Sequence, residues 1–504
     1  MDIEDLVGER LMIGLTGPAL GDADIRLFRD TRATGLILYR RNFSSPAQLL
    51  DVLTRLESAL GRRLLVATDH EGGRIVMLGQ GVTIFPDNLA VGTAGEETFA
   101  FKQGLFEARE LRRLGIDLNL GPCLDVLTER YSPNIGIRSY GKDPALVARY
   151  GVARIAGMAK GGVSACPKHF PGKGHSPLDA HLRLPTIDSD WDEMHRVHLV
   201  PFFAAIAAGV ECVMTSHPVY PKLDPSRVPA TFSRLIVEDY LRGEVGFRGV
   251  IVSDDLEMGA VSEACPIDEA AVRAAEAGHD LLLVCHTETA QRAAAAALVD
   301  AYRSDRLPRH ALELSAARVR ALRERRTARA EGGPPAAERD GAPLAMAIAT
   351  RAVTEVTRGR ADFARALNGR VCVVFPRFSE LAARITIEPE MCDETGWVRG
   401  AFAKAGVAAE PTVVGIEPTS GEIEEAAARA ATAEATVLFL YDAHLYASNR
   451  ALLDAVQKSA GRLAVVLMRD PYDGALLGPG VVGLTAYGWR RCQLDAAVAR
   501  LVHP

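Results

Sequence analysis

Between residues 10 and 285 the chain repeatedly gathers apolar and β-branched residues into a short run, then passes into a longer segment whose apolar positions recur at helical spacing. The runs fall at 10–16, 35–39, 64–68, 117–120, 163–168, 212–216, 249–253 and 280–285. The segments between them carry helix-start signals. One is Asp143-Pro144 ahead of Leu146, Tyr150 and Ile155, where Asp can cap and Pro occupies the first turn. Eight β/α units in succession predict a (β/α)8 TIM-type barrel, an α/β fold.

A second α/β pattern follows, with strand-like runs at 371–375, 436–441, 463–468 and 481–485 separated by Ala-rich helical stretches. Between the two patterns, Gly332-Gly333-Pro334-Pro335 has the composition of a linker. The predicted organisation is a catalytic barrel over 1–329, a linker over 330–345 and a smaller α/β three-layer sandwich over 346–504. A length of 504 residues suits two cores better than one.

Charge and cysteine usage narrow the setting. A formal net charge of -6, with no long basic block outside 323–329, argues against a nucleic-acid partner. Apolar runs stay far below the roughly 20 residues that cross a bilayer, so no membrane partner is expected. The start Met1-Asp2-Ile3-Glu4-Asp5 is acidic and lacks the pattern of an export signal. The 8 cysteines form no CxxC pair, which fits reduced thiols and a cytoplasmic location better than disulfides or a zinc site. No cofactor is expected, and the oligomeric state is left open.

In an eight-stranded barrel the working groups stand at the C-terminal strand ends. Following the runs there are Asp69-His70-Glu71-Gly72-Gly73-Arg74, then Asp125 and Arg138, then Lys168-His169-Phe170-Pro171-Gly172-Lys173-Gly174-His175 with Asp179-Ala180-His181, then His217, then Ser253-Asp254-Asp255. A lone carboxylate or histidine at such a place is more often a cap than a catalyst. Five polar clusters on one predicted face are harder to read that way. His169, His175, Asp179 and His181 could also ligate a metal, but Lys168 and Lys173 interleave with them and no HxH or HExxH spacing occurs, so no metal is expected.

Lys168-His169-Phe170-Pro171-Gly172-x-Gly174 with Asp179-x-His181, Asp69-x-Glu71-Gly72-Gly73-Arg74, and Ser253-Asp254-Asp255-Leu256-x-Met258 resemble glycoside hydrolase family 3, in its β-N-acetylglucosaminidase branch. The likeness covers residues 5–325 and, more loosely, the second pattern. Family 3 β-glucosidases usually lack the Asp-x-His element, which favours the N-acetylglucosaminidase branch. The resemblance implies a retaining exo-glycosidase acting on a small peptidoglycan- or chitin-derived saccharide, with Asp254 as nucleophile and Asp179–His181 as acid/base. It further implies substrate contacts from Asp69, Arg138, Lys168 and His169, with Arg74 either a sugar contact or a structural ion-pair partner and His217 a second-tier contact. Strand alternation agrees: Val250, Val252 and Asp254 share one face. In an extended loop Asp179 and His181 point the same way, so the carboxylate can orient the imidazole and favour its protonated form.

Two departures stand out. Relatives commonly carry His where this chain has Lys173, with Asp, Ala or Ser at the place of His175, and many have Arg where it has Met77. The alternatives are a family 3 β-glucosidase-like exo-hydrolase, an N-acetylglucosaminide phosphorylase and a catalytically silent sugar-binding protein. Should His181 prove dispensable, Glu71 and Asp255 are the next candidates for the acid.

Overall fold

The computed structural model describes residues 1–129, 131–176, 184–330 and 341–503, the side chains of 326–330 excepted. By packing, the chain divides into two compact units. The first comprises Met1–Glu71, Gln80–Thr83 and Glu97–Gly341, the second Gly72–Gly79, Ile84–Glu96 and Ala342–Pro504.

In the first unit the predicted runs supply eight short strands: β1 (Leu11–Gly14), β2 (Gly35–Leu38), β3 (Leu65–Thr68), β4 (Leu118–Asn119), β5 (Ser164–Ala165), β6 (Cys212–Met214), β7 (Val250–Val252) and β8 (Leu282–Val284). All pair in parallel, in the order β8-β1-β2-β3-β4-β5 and, separately, β6-β7. Single parallel bridges join Phe170 to Thr215 and Val252 to Leu281. Alternate positions contribute to one buried cluster: Met12, Ile37, Leu65, Ala67, Leu118, Leu120, Cys166, Cys212, Met214, Val250, Val252, Leu281 and Leu283 belong to it, with Val319 and Leu322 from helix Arg309–Ala330. Period-two burial within near-continuous apolar strands is what a parallel sheet covered on both faces requires.

The helices begin and end where local chemistry directs. Ser45 caps Pro46–Leu60 by accepting from Gln48 N, and Asp143 caps Pro144–Gly161 by accepting from Ala145 N, each with Pro in the first turn. Helices Glu97–Arg113 and Pro144–Gly161 pack so closely that a Cβ on Gly157 would lie 2.0 Å from the Phe101 carbonyl oxygen. Only glycine fits there.

The second unit contains β9 (Thr354–Glu355), β10 (Val371–Pro376), β11 (Ala409–Val414), β12 (Ala435–Leu440), β13 (Leu463–Leu467) and β14 (Val482–Thr485), ordered β9-β14-β13-β12-β10-β11 and parallel except for β9. Cys372, Val374, Leu438 and Leu440 pack on helices Ser420–Thr432 and Ala447–Ser459. On the alternate face Phe375 and Phe439 pack against Trp397 of helix Glu394–Lys404. Among the described residues, no helix is long and apolar enough to cross a membrane.

Candidate active site

The site-forming residues of the first unit leave the sheet at the C-terminal strand ends. Beyond β3, the side chain of Asn119 at the end of β4 accepts from His70 N at 2.9 Å and donates to His70 O at 2.8 Å. That fixes the backbone between Asp69 and Glu71. From the outer layer, Arg154 pairs with Glu107 at 2.9 Å, both fully buried, and donates to the Glu71 carbonyl at 2.6 Å.

Glu71 accepts a two-pronged hydrogen bond from Arg138, at 2.9 and 2.8 Å, and pairs with Lys168 Nζ at 2.7 Å. Lys168 also reaches Asp69. Burial alone would raise the Glu71 carboxyl, but Arg138 and Lys168 outweigh it and hold Glu71 far below the usual carboxylate range. Burial pushes Asp69 upward against the pull of Lys168, and the Lys168 ammonium is shifted up: burial opposes the change, and Asp69 and Glu71 overcome it. These are charge-assisted contacts in a dry setting, strong and geometrically demanding.

Asp125 links the next two segments. Its Oδ2 accepts from His169 Nδ1 at 2.6 Å, and its Oδ1 accepts from Lys173 N at 2.7 Å. With Nδ1 carrying the proton, His169 Nε2 presents a lone pair to Arg138, 3.4 Å away. Cys123 Sγ donates to the same Asp125 oxygen at 3.3 Å. The ligand atoms of Cys123, Asp125 and His169 lie close enough together to hold a metal. Their mutual hydrogen bonds already account for the cluster.

Asp254 follows β7 in register with Val250 and Val252 of the buried cluster. Its Oδ1 accepts from Asp255 N at 2.9 Å, and Lys173 Nζ stands 3.9 Å from its Oδ2. Burial raises the Asp254 carboxyl, but Lys173, then His217 and Lys168, more than reverse this and hold it below the ordinary carboxylate value. His217 is buried: Nε2 donates to the Asp255 carbonyl at 3.0 Å and Nδ1 meets Thr231 Oγ1 at 2.7 Å. Burial lowers its pKa, and Asp254 nearby acts against that shift. Asp255 turns elsewhere, its Oδ1 accepting from Glu257 N at 3.2 Å and its Oδ2 pairing with His286 Nε2 at 3.0 Å.

The structure thus brings Asp69, Arg138, Lys168, His169, His217 and Asp254 into one network of the first unit. Arg74 is grouped with the second unit, where its backbone N–H donates to Asp87 Oδ1 at 2.7 Å. Asp179 and His181 lie outside the described residues. Asp125 and Lys173 are the members whose part no single run discloses, because their roles come from contacts 44 and 48 residues apart in sequence, and from the pairing of Lys173 with Asp254.

Carboxylates and cations ringed at the ends of parallel strands, one carboxylate held below its ordinary range beside a lysine and another locked by two cations, make an arrangement suited to a polar substrate. Residues 14–322 match the Glycosyl hydrolase family 3 N terminal domain, and the chain belongs to that family. Over its full length it is similar to a solved glycoside hydrolase family 3 β-N-acetylglucosaminidase from Paenibacillus sp. str. FPU-7. The TM-score is 0.91 and the identity 32%, covering 100% of this chain and 97% of that one. It is 36% identical over 284 residues to a β-hexosaminidase of Xylella fastidiosa (strain 9a5c), which spans 55% of this chain and 84% of the relative. NagZ from Neisseria gonorrhoeae, solved with N-trifluoroacetyl-D-glucosamine, is similar at 32% identity and TM-score 0.51, covering 62% of this chain and 98% of that one.

Proposed function

We propose that this chain is a β-N-acetylhexosaminidase that removes terminal, non-reducing β-linked N-acetylglucosamine from a small peptidoglycan- or chitin-derived saccharide, with retention of configuration. The observation that carries this reading is the placement of Asp254: a carboxylate held ionised at the end of β7, beside the charged ring of Asp69, Glu71, Arg138 and Lys168. The named activities of the similar proteins support the substrate class. The scaffold in this reading is a closed (β/α)8 barrel. The Phe170–Thr215 and Val252–Leu281 bridges and the shared buried cluster support closure.

In the first step Asp254 attacks the anomeric carbon, the bond to the aglycone oxygen breaks, and that oxygen leaves with a proton from His181, which Asp179 orients. In the second, His181 takes a proton from water, whose oxygen displaces Asp254 and restores the carboxylate. Lys168, Arg138, His169 and Asp69 are positioned to meet sugar hydroxyls, since fixed charged donors and acceptors discriminate hydroxyl geometry. Arg74 stands in this reading as a structural residue. The enzyme works in the cytoplasm.

Turnover of 4-nitrophenyl N-acetyl-β-glucosaminide should far exceed that of 4-nitrophenyl β-glucoside. His181→Ala should impair chitobiose hydrolysis much more than hydrolysis of the aryl substrate, because 4-nitrophenolate leaves without a proton. Preference for the glucoside would refute the substrate class. Equal impairment on both substrates would remove His181 from the acid role.

A further inference from the structure

Lys173 lies between Gly172 and Gly174 in the loop after β5, and its side chain is as buried as that of Lys168. Its backbone is pinned by Asp125, so the ammonium has a fixed origin, and Nζ lies 3.9 Å from Asp254 Oδ2. We propose that Lys173 is a positioning residue for the nucleophile: its ammonium balances the Asp254 carboxylate in the free enzyme and is left without that counter-charge once Asp254 is esterified, so that small anions gain on water as acceptors. This inference rests on Asp254 being the nucleophile.

The groups around the pair set the direction of the effect. Lys168, His217 and Asp69 also face Asp254, while Arg138, Asp125 and Cys123 face Lys173. Ionised, the ring holds the three buried cations Arg138, Lys168 and Lys173 against four carboxylates, Glu71 and Asp125 buried and Asp69 and Asp254 partly exposed. Ester formation removes one negative charge, leaving cations and carboxylates equal in number. Burial lowers the Lys173 ammonium's pKa, with Asp254 acting against that, so the carboxylate is the partner that favours the charged lysine. With azide as acceptor, its terminal nitrogen bonds to the anomeric carbon as the Asp254–carbon bond breaks. The carboxylate recovers its charge and its pairing with Lys173, and no proton needs to move.

The test is the pH dependence of kcat/KM for 4-nitrophenyl N-acetyl-β-glucosaminide, which reports groups of the free enzyme, in wild type, Lys173→Met and Lys173→Arg. An opposite charge at this separation lowers a carboxyl pKa by about one unit or more. Removing it should therefore move the acid limb of the K173M profile about one pH unit upward, whereas K173R should keep the limb near its wild-type position. The share of β-glycosyl azide formed in competition with water should fall in K173M and persist in K173R. A K173M limb that stays in place, or an azide share independent of charge at position 173, overturns the inference. Should K173M not fold, the same profile is taken on Lys173→Gln. If neither folds, the wild-type partition decides, since an absence of glycosyl azide at every azide concentration also overturns it. Asp254→Asn separates the two readings: a fully active D254N refutes the nucleophile assignment itself, whereas an inactive D254N beside an unshifted K173M refutes only the role of Lys173.

Discussion

A carboxyl group can serve as an acid only if it holds a proton at working pH, and Glu71 does not. Arg138 and Lys168 keep it ionised, so the structure removes it from the two fallback acids named from sequence. Asp255, the other, is bonded to Glu257 N and His286, the pattern of a loop anchor. Glu71 instead holds Arg138 and Lys168 in position. Glu71→Gln leaves both cations buried with one carboxylate fewer. Breaking a buried pair in this way costs about 3 kcal/mol, and a displacement near 1 Å in a positioned group costs ~100-fold in rate. We expect a melting temperature several degrees lower and a loss of that order in kcat/KM. A wild-type kcat/KM in E71Q would show that these cations need no such support. At this scale much of the site was legible, because Asp69, Lys168, His169 and Asp254 sit in contiguous motifs. Asp125 was visible as a polar residue after a strand, but its hydrogen bonds to His169 and Lys173 are long-range and no local spacing reports them.

Among elements, the strands of the first unit were readable because each is a dense apolar run, although β4 and β5 are shorter than the runs at 117–120 and 163–168. Parallel pairing past their ends persists as isolated bridges such as Cys123 to Lys168. In the second unit, β9 and β11 escape the hydrophobic pattern for physical reasons. β9 is two residues long with little burial, and β11 is an edge strand with exposed Glu410 and a central Pro411. Proline within a run demotes it in a sequence reading, yet an edge strand tolerates it. The loop after β5 shows why its motif needs glycine: a Cβ on Gly174 would lie 1.8 Å from the Val126 carbonyl oxygen, and the Gly174 carbonyl accepts from Thr128 N and Glu129 N at 3.2 and 3.1 Å. Gly174→Ala must push the loop off this seat, a strain of about 1–3 kcal/mol. Because Lys173 precedes it, we expect activity to fall at least ~10-fold while the melting temperature drops only modestly. A fully active G174A, measured on the aryl substrate, would show that the seat is not needed.

For the molecule as a whole, the change of composition near 332–335 predicts a boundary, while packing divides the chain into two compact units whose membership that composition does not give. Residues 72–79 and 84–96 lie early in the chain yet pack with the second unit, where Arg490 donates to the Gly73 carbonyl at 2.6 Å and Arg351 pairs with Glu96 at 3.0 Å. Nothing in the composition of 72–96 marks it as separate from the strand-loop pattern around it, so a reading along the chain assigns it to the barrel. The same grouping assigns Arg74 to the second unit, although the motif that precedes it belongs to the first. The central claim is a covalent sugar ester on the carboxylate that follows β7. The direct measurement is to incubate the full chain with a slow-reacting fluorinated N-acetyl-β-glucosaminide, digest it and map the modified peptide by mass spectrometry. The account predicts one sugar on Asp254, whereas a sugar mapped to any other residue, or an active enzyme that shows no covalent adduct under trapping conditions, would contradict it.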